Sequence, residues 1–277
     1  MKVFINGYFT ESLESSSKLL LDPTDRGLTL GDGIFETISV KNSRILRLKA
    51  HLDRLRGAAS LLDIELPMAE PDLIEALKTI AKENLIVDGS IRLTLTRGPS
   101  SRGLLPPQIK SPSLIITASN NSSEFNAVGC VKAIIATVTR CNENSPLSRI
   151  KSLNYLDNIL ALKEAREKGA DDALLLNGAG KLTSASASNL FIVSHGKLVT
   201  PPERDGCLSG IMRTDIIREL DVLLQSILPL DLAEASEAFL TNCLSVRPLI
   251  SLNGKKIGDG KIGMVTKKVQ DLVLNVR

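Results

Sequence analysis

The chain contains 277 residues, of which 43% are hydrophobic and 23% are charged. This composition is ordinary for a globular protein with one large domain or two medium ones. The formal net charge is only +3, and the sequence has no block of lysine and arginine, which argues against nucleic acid or a membrane surface as the partner.

Compartment and metal content can also be predicted from the sequence. Residues 1–14 lack the basic start and long apolar core of a signal peptide, and no stretch approaches the roughly 18 consecutive apolar residues of a membrane span. The four cysteines and two histidines are widely spaced, so we expect free thiols and no metal site. We therefore expect a cytoplasmic protein.

The first half of the chain predicts strands interrupted by two amphipathic helices. Apolar residues recur every three or four positions from Leu48 to Leu62 and from Leu73 to Ala81, as on one face of a helix. The strand-like segments are VFING, IFETISV, ILRL, SIRLTLTRG and SLIITAS. A polar stretch, SNNSSEFN at 119–126, predicts a linker between an N-terminal domain, 1–118, and a C-terminal domain, 127–277.

The second half begins with the strand-like VKAIIATVTR, followed by a polar loop and a helix from about Asn154 to Lys168 that Gly169 ends. Three hairpins follow, at ALLLNGAGKLT, NLFIVSHGKLVT and LISLNGKKI. Asn177-Gly178 and Asn253-Gly254 predict tight turns because both residue types accept a positive φ. The chain therefore predicts a mixed α/β (α+β) fold in two halves.

Three positions carry candidate chemistry. Lys151 follows a polar loop and precedes a helix, where a lysine can point into a cleft. Arg54 lies one helical turn from His51 beside the apolar stripe, and a guanidinium there can form two hydrogen bonds to a phosphate. Gly210 precedes a helix predicted from about Ile211, whose first N–H groups can bind an anion.

These residues lie within segments that resemble the fold-type IV family of pyridoxal-phosphate enzymes, the class IV aminotransferases, over nearly the whole chain. The matching segments are DRGLTLGDGIFET (25–37), HLDRL (51–55), LTRGPSSRG (95–103), IKSLN (150–154), LTSASASNLF (182–191), LSGIMR (208–213) and FLTNCLSVRPL (239–249). The resemblance implies a homodimer that binds pyridoxal 5′-phosphate between a small N-terminal α/β domain and a larger C-terminal domain with a mixed sheet. It also implies a small-molecule substrate.

The resemblance assigns roles residue by residue. Lys151 would hold the cofactor as a Schiff base and move the Cα proton. The residues assigned to the phosphate are Arg54, Gly210, Ile211, Met212, Thr241 and Asn242. The residues assigned to the cofactor ring and the substrate are Asn154 and Tyr155 beside the ring, Phe35 in the pocket wall, and Arg102 on the substrate carboxylate.

One position departs from the family pattern. Members usually have a glutamate before the S-N-x-F segment, and its carboxylate binds the pyridine nitrogen of the cofactor. Here the aligned residue is Ser184, in LTSASASNLF. A serine supplies no charge, and the loss of a charge-assisted hydrogen bond of about 1.5–3 kcal/mol weakens the ring as an electron sink.

This departure favours elimination over transamination. We expect a lyase that converts 4-amino-4-deoxychorismate to 4-aminobenzoate and pyruvate for folate synthesis, because GIMR and TNCL resemble the lyase members of the family. The alternative is a D-amino-acid or branched-chain aminotransferase, and IKSLN and LISLNGKKIGDGKIG resemble the D-amino-acid aminotransferases at least as well. A non-catalytic pyridoxal-phosphate-binding protein is the third hypothesis.

Overall fold

The computed structural model describes residues 1–11, 21–120 and 129–275. The chain forms two compact units, the first comprising Met1–Glu124 with Lys151–Asn154, and the second Phe125–Ile150 with Tyr155–Arg277. Of the predicted linker, residues 119 and 120 end a strand, and residues 121–126 lie outside the described ranges. The predicted domain boundaries at 118 and 127 stay a prediction.

In its described residues, the first unit combines a six-stranded antiparallel sheet with three α-helices. Its elements are β1 (Lys2–Ile5), β2 (Tyr8–Glu11), α1 (Arg26–Leu30), β3 (Gly33–Lys41), β4 (Arg44–Ile45), α2 (Leu48–Leu61), α3 (Glu70–Glu83), β5 (Gly89–Thr96) and β6 (Ser113–Asn120). The strand order is β2-β1-β6-β5-β3-β4. Helix α2 lies against β3, and α3 lies against β1 and β6.

The predicted helices of this unit are confirmed, because their apolar stripes are buried. In α2 the buried side chains include Leu52 and Leu55, and in α3 they include Leu73 and Leu77. The predicted strand ILRL, by contrast, is wrong over most of its length: β4 ends at Ile45, and α2 begins three residues later. Arg47 interrupts the extended run because its φ is +53°, and it is the N-cap of α2.

The second unit contains a nine-stranded mixed sheet and four α-helices in the described part of the chain. Its elements are β7 (Val131–Ile135), α4 (Leu156–Glu167), β8 (Asp172–Leu176), β9 (Leu182–Ala185), β10 (Asn189–Ser194), β11 (Lys197–Thr200), α5 (Ile211–Glu219), β12 (Val222–Leu224), α6 (Pro229–Ala233), β13 (Glu237–Thr241), β14 (Val246–Leu252), β15 (Lys255–Lys256) and α7 (Met264–Asn275). The strand order is β12-β11-β10-β13-β14-β7-β8-β9, with β15 beside β14. Strand β9 also pairs with β10 at Ser184 and Asn189, so the sheet closes on itself at that position.

Alternation along β10 and β13 places apolar side chains on both faces of this sheet. Leu190 and Leu240 belong to the larger core cluster on one face. Phe191 and Phe239 belong to the cluster on the other face, which includes Met212 from α5. The two phenylalanine rings are stacked with centroids 5.0 Å apart and an interplanar angle of 6°. Burial of these rings therefore fixes α5 against β10 and β13.

The predicted turns are only partly as expected. The Asn253-Gly254 turn is confirmed, since both residues have positive φ, of 48° and 78°. At Asn177-Gly178 the chain turns, but the positive φ of 75° belongs to Gly180. Asn177 stabilises this longer loop instead, because its Oδ1 accepts hydrogen bonds from the backbone N–H groups of Ala179 and Lys181 at 3.0 and 2.9 Å.

Within the described ranges, no helix combines the length and the apolar character needed to cross a membrane.

Candidate active site

The backbone around Lys151 is paired with strand β3. The N–H of Phe35 donates to the carbonyl of Lys151, and the N–H of Leu153 donates to the carbonyl of Gly33, both at 2.9 Å. Strand β4 pairs only with Val40 and Lys41, at the far end of β3. The segment Lys151–Asn154, predicted as part of the C-terminal domain, therefore belongs to the first unit because it occupies the edge of β3 that β4 leaves open.

The side chain of Lys151 contacts an aromatic ring. Its Nζ lies 4.2 Å from the centroid of Phe35, and the guanidinium carbon of Arg92 lies 3.8 Å from the same centroid. Both are cation–π contacts, and they place two cations on one buried ring. Two neighbouring cations attract anionic groups.

Arg92 is not among the residues predicted from the sequence, because the pairing of β3 with β5 is needed to bring it to the Phe35 ring. Alternation in SIRLTLT places Arg92 and Thr94 on the same face of β5. Thr94 pairs with Phe35 across the sheet, so Arg92 is the diagonal neighbour of the ring.

Asn154 is held by the loop that precedes β3. Its Nδ2 donates to the carbonyl of Gly31 at 3.3 Å, and Gly31 has a φ of +66°. Tyr155 follows directly, as the N-cap residue of α4 in the second unit. Their predicted positions beside the cofactor ring stay predictions.

Arg54 forms a buried cluster with an acid and a histidine. Its Nε and Nη2 donate to the two carboxylate oxygens of Glu36, each at 2.7 Å, and Nδ1 of His51 lies 2.7 Å from Oε2 of the same carboxylate. Burial alone raises the pKa of the Glu36 carboxyl, but the hydrogen bonds from His51 and Arg54 and the charge of Arg54 outweigh it, so the pKa lies below its usual value. Glu36 is therefore a carboxylate at neutral pH.

The Lys151 contact and the Arg54 cluster are formed by consecutive residues of β3, Phe35 and Glu36. Phe35 contacts Lys151, whereas Glu36 contacts Arg54 on helix α2.

The start of α5 in the second unit carries groups that are suited to an anion. Asn189 and Thr241 are directly paired between β10 and β13, so their side chains share one face. Oγ1 of Thr241 is fully buried and has no hydrogen-bond partner among the described residues. Gly210 is the N-cap residue of α5, and a Cβ there would overlap Oδ1 of Asn189. Because the first N–H groups of a helix lack intrahelical acceptors, Ile211 and Met212 add donors at the start of α5.

The turn between β9 and β10 is held by three neighbouring side chains. Asn158 of α4 donates to the carbonyl of Ser186 at 2.7 Å, and Ser186 Oγ donates to Asp172 at 2.5 Å. Asn242 donates through Nδ2 to Oγ of Ser188 at 3.3 Å, and its Oδ1 accepts from two backbone N–H groups. The Asn242 side chain therefore stabilises turns, and its predicted phosphate role stays a prediction.

Ser184 lies half-buried on β9, within the pairing that closes the sheet. Its hydroxyl is 3.5 Å from that of Thr183. No carboxylate forms a hydrogen bond with Ser184 in the described part of the chain.

Arg102 lies on an exposed loop that a buried arginine supports. Nη1 of Arg26 donates to the carbonyl of Gly103 at 2.9 Å, and its Nη2 donates to that of Leu104 at 2.8 Å. Asp32 accepts from Nε of Arg26 at 2.8 Å and neutralises part of its charge. The loop therefore has a defined backbone course, while the substrate role of Arg102 stays a prediction.

Known proteins resemble this chain over nearly its full length. Residues 33–252 match the model of the amino-transferase class IV family. A putative branched-chain-amino-acid aminotransferase of Methanocaldococcus jannaschii is 31% identical, with 100% of this chain and 96% of that protein covered. A D-alanine aminotransferase of Listeria monocytogenes is also 31% identical, with 97% and 93% covered.

The fold is shared with solved structures. The branched-chain amino acid aminotransferase of Escherichia coli has a TM-score of 0.92 at 25% identity, with 99% of this chain and 94% of that chain covered. A putative 4-amino-4-deoxychorismate lyase of Legionella pneumophila has a TM-score of 0.85 at 29% identity, with 96% and 98% covered.

The chain belongs to the class IV aminotransferase family. Members of this family are pyridoxal-phosphate enzymes, and this chain is one of them. The start of α5 fits such a cofactor, because the buried Thr241 hydroxyl is unpaired among the described residues and the first N–H groups of a helix favour a phosphate. The predicted fold class and cofactor are thereby confirmed.

The unpaired Thr241 hydroxyl gives the first prediction. In Thr241→Val the cofactor-free protein should be stabilised by about 1 kcal/mol, because an unsatisfied buried hydroxyl is removed at nearly constant shape. The affinity for pyridoxal phosphate should nevertheless fall roughly tenfold, since one hydrogen bond to the phosphate is lost. Urea unfolding of the cofactor-free protein and a spectroscopic titration with the cofactor measure the two effects.

Thr200→Val is the matched control. Oγ1 of Thr200 is equally buried but donates to the carbonyl of Leu190 at 2.8 Å. Its loss should destabilise the cofactor-free protein and leave the cofactor affinity unchanged. If Thr241→Val destabilised the protein and left the affinity intact, the hydroxyl would not face the phosphate.

Proposed function

We propose that the chain is a pyridoxal-phosphate lyase that converts 4-amino-4-deoxychorismate to 4-aminobenzoate and pyruvate. The observation that carries this proposal is Ser184, a half-buried hydroxyl at the position where the family resemblance places a glutamate. Further support comes from the putative lyase of Legionella pneumophila, which is 29% identical over 96% of this chain.

Bound pyridoxal phosphate supplies an electron-accepting ring that stabilises negative charge at the substrate Cα. The demand on this ring differs between the two reaction classes. Transamination must hold the negative charge until a proton is delivered to another carbon, whereas elimination can expel pyruvate as soon as the Cα proton is removed. The hydroxyl of Ser184 supplies no charge that would strengthen the ring as an electron acceptor. We therefore expect it to slow elimination less than it slows transamination.

The protein side chains position the reactants and transfer protons. We assign to the amine of Lys151 the attachment of the cofactor and, once released, the removal of the Cα proton. The Phe35 ring holds this amine, and pairing of the lysine carbonyl with the Phe35 N–H fixes the main chain beneath it. Asn154 and Tyr155 are assigned to the neighbourhood of the cofactor ring.

The phosphate and the substrate carboxylate require cations and N–H donors. We assign the phosphate to the guanidinium of Arg54, the N–H groups of Ile211 and Met212, and the Thr241 hydroxyl. Arg102 is assigned to the substrate carboxylate, because its loop is exposed and is held by Arg26.

A second candidate function is an aminotransferase for D-amino acids or branched-chain amino acids. It is favoured by the aminotransferase relatives, which are 31% identical over 97% or more of this chain. A protein that binds the cofactor without catalysis is the third possibility, and the assay described below separates all three.

We also propose that the enzyme is a cytoplasmic homodimer. Three exposed leucines of the first unit support this assembly, because large exposed apolar side chains mark interaction surfaces: Leu28, Leu104 and Leu105 are 66%, 82% and 87% exposed. Sedimentation should give twice the chain mass of 29.9 kDa, and a monomer at micromolar concentration would contradict the dimer.

Cofactor attachment to Lys151 is tested by reduction with borohydride. The purified protein should be yellow, and reduction should fix the cofactor to the peptide that contains Lys151. Lys151→Ala should lose both the attachment and the activity, while Lys163→Ala, which alters an exposed lysine, should retain both. A reduced protein that carries the cofactor on another peptide would refute the assignment.

Ser184→Glu tests the choice between reactions. The native enzyme should release pyruvate from 4-amino-4-deoxychorismate and transfer amino groups from D- or L-amino acids to 2-oxoglutarate only slowly. Glutamate should raise transamination relative to elimination by about ten- to a hundredfold if a charge-assisted bond is gained. The measurement is the ratio of pyruvate formed to amino group transferred, at full cofactor occupancy.

Ser184→Ala is the control for this substitution, because it removes the hydroxyl without adding charge. It should leave transamination slow. Rapid transamination by the native protein without pyruvate release would reject the lyase in favour of the aminotransferase, and neither activity in a cofactor-loaded protein would indicate the non-catalytic alternative.

A further inference from the structure

The proposed reaction leaves a buried acid unexplained. Glu36 and His51 are each 1% exposed, and neither is assigned to the cofactor or the substrate. Placing a carboxylate inside a protein is costly unless it is paired and hydrogen-bonded. Here the Arg54 guanidinium and the His51 ring meet both carboxylate oxygens at 2.7 Å. The three side chains therefore form a buried, hydrogen-bonded cluster rather than a surface ion pair.

The contacts fix the orientation of Arg54. Nε and Nη2 are both bound by the same carboxylate, which is the bidentate geometry that sets the plane of a guanidinium as well as its position. A free arginine side chain loses substantial rotamer entropy when it is ordered by a ligand. In this cluster the ordering is already achieved by a rigid strand on one side and a helix on the other.

Exposure indicates which way the cluster faces. The side chain of Arg54 is 17% exposed, whereas those of Glu36 and His51 are each 1% exposed. Glu36 thus lies behind the arginine, and the accessible part of the cluster belongs to the cation.

We propose that Glu36 is a positioning residue that orients the Arg54 guanidinium for the cofactor phosphate, with His51 holding the second side of the carboxylate. This inference rests on the proposed function in one respect, the assignment of Arg54 to the phosphate. Glu36 does not act by charge, since its negative charge by itself disfavours an anion nearby. It acts by holding the donor groups of Arg54 in one direction.

Charge and orientation predict opposite effects of Glu36→Gln. Loss of the negative charge alone would increase the affinity for a phosphate. Loss of the bidentate contact decreases that affinity, because glutamine offers only one acceptor oxygen to the two donors of Arg54.

The experiment compares the affinities for pyridoxal phosphate and pyridoxal, which differ only by the phosphate. The readout is the ratio of the two dissociation constants, measured by spectroscopic titration of the full chain without any substrate. In Glu36→Gln the preference for pyridoxal phosphate should fall about tenfold or more, with the affinity for pyridoxal unchanged. Glu36→Asp keeps the negative charge but shortens the side chain by one methylene. It should also reduce the preference for pyridoxal phosphate, and it replaces Glu36→Gln in the test if that variant does not fold.

Asp32→Asn is the matched control. Asp32 accepts from Arg26 and Arg97 at 2.8 and 2.7 Å in the same unit, so this variant also breaks a carboxylate–arginine pair. Its effect on folding should be comparable, but the ratio of the two affinities should not change. An equal loss of both affinities in Glu36→Gln, or a gain for pyridoxal phosphate, would overturn the positioning role.

Arg54→Ala tests the assignment of Arg54 to the phosphate separately from the role of Glu36. If Arg54→Ala lowers the preference for pyridoxal phosphate and Glu36→Gln does not, only the role of Glu36 fails. If Arg54→Ala leaves the preference unchanged, the phosphate assignment fails and the inference fails with it. Because no substrate is used, neither result depends on whether the enzyme is a lyase or an aminotransferase.

Discussion

The pairing of residues 151–153 with the open edge of β3 is the interaction on which the candidate lysine depends. A lysine side chain is a flexible four-carbon stem, so its amine holds a precise position only if the main chain is fixed. Two backbone hydrogen bonds of 2.9 Å, one on each side of the Ile34–Ser152 bridge, provide this constraint. The short β4 makes it possible, because it leaves the β3 edge unpaired from Gly33 to Phe35.

In the second unit, strand pairing positions the groups at the start of α5. Asn189 and Thr241 are opposite each other in neighbouring strands, and the stacked phenylalanines two positions further along hold α5 over the same face. Asn189 also donates to the carbonyl of Leu208 at 2.8 Å, which ties the loop before α5 to the sheet. The start of the helix is therefore fixed by core packing and one buried amide rather than by a capping side chain.

Much of this arrangement follows from local sequence patterns. Apolar periodicity predicted α2, α3 and most strands because those patterns reflect which side chains are buried. The positive φ of Arg47, which ended the predicted strand ILRL, has no such signal, since arginine is not a residue that favours this conformation. The grouping of Lys151–Asn154 with the first unit was also not predictable, because edge pairing between distant segments depends on the tertiary fold.

The candidate site was predictable only as a set of residues. Family resemblance identified Arg54 as a cation, but its contact with Glu36 depends on how α2 lies against β3. Arg92 was overlooked because an exposed arginine on a strand is usually solvated, and its contact with Phe35 requires the β3–β5 register. Such register is a property of the assembled sheet and not of either strand alone.

Whether another acid could replace the missing glutamate at position 184 bears on the reaction. Strand β8, which pairs with β9 at Ser184, begins with the carboxylate Asp172, which is 3% exposed. Arg247 Nη2 donates to its Oδ2 at 2.7 Å, and its Oδ1 accepts from the hydroxyl of Ser186 at 2.5 Å and the N–H of Ala173 at 2.9 Å. Freeing this carboxylate would leave Arg247 without its partner and release the turn that Ser186 anchors, at a cost of several kcal/mol for a broken buried pair. Asp172 is therefore engaged in the structure of the turn and does not supply a carboxylate to Ser184.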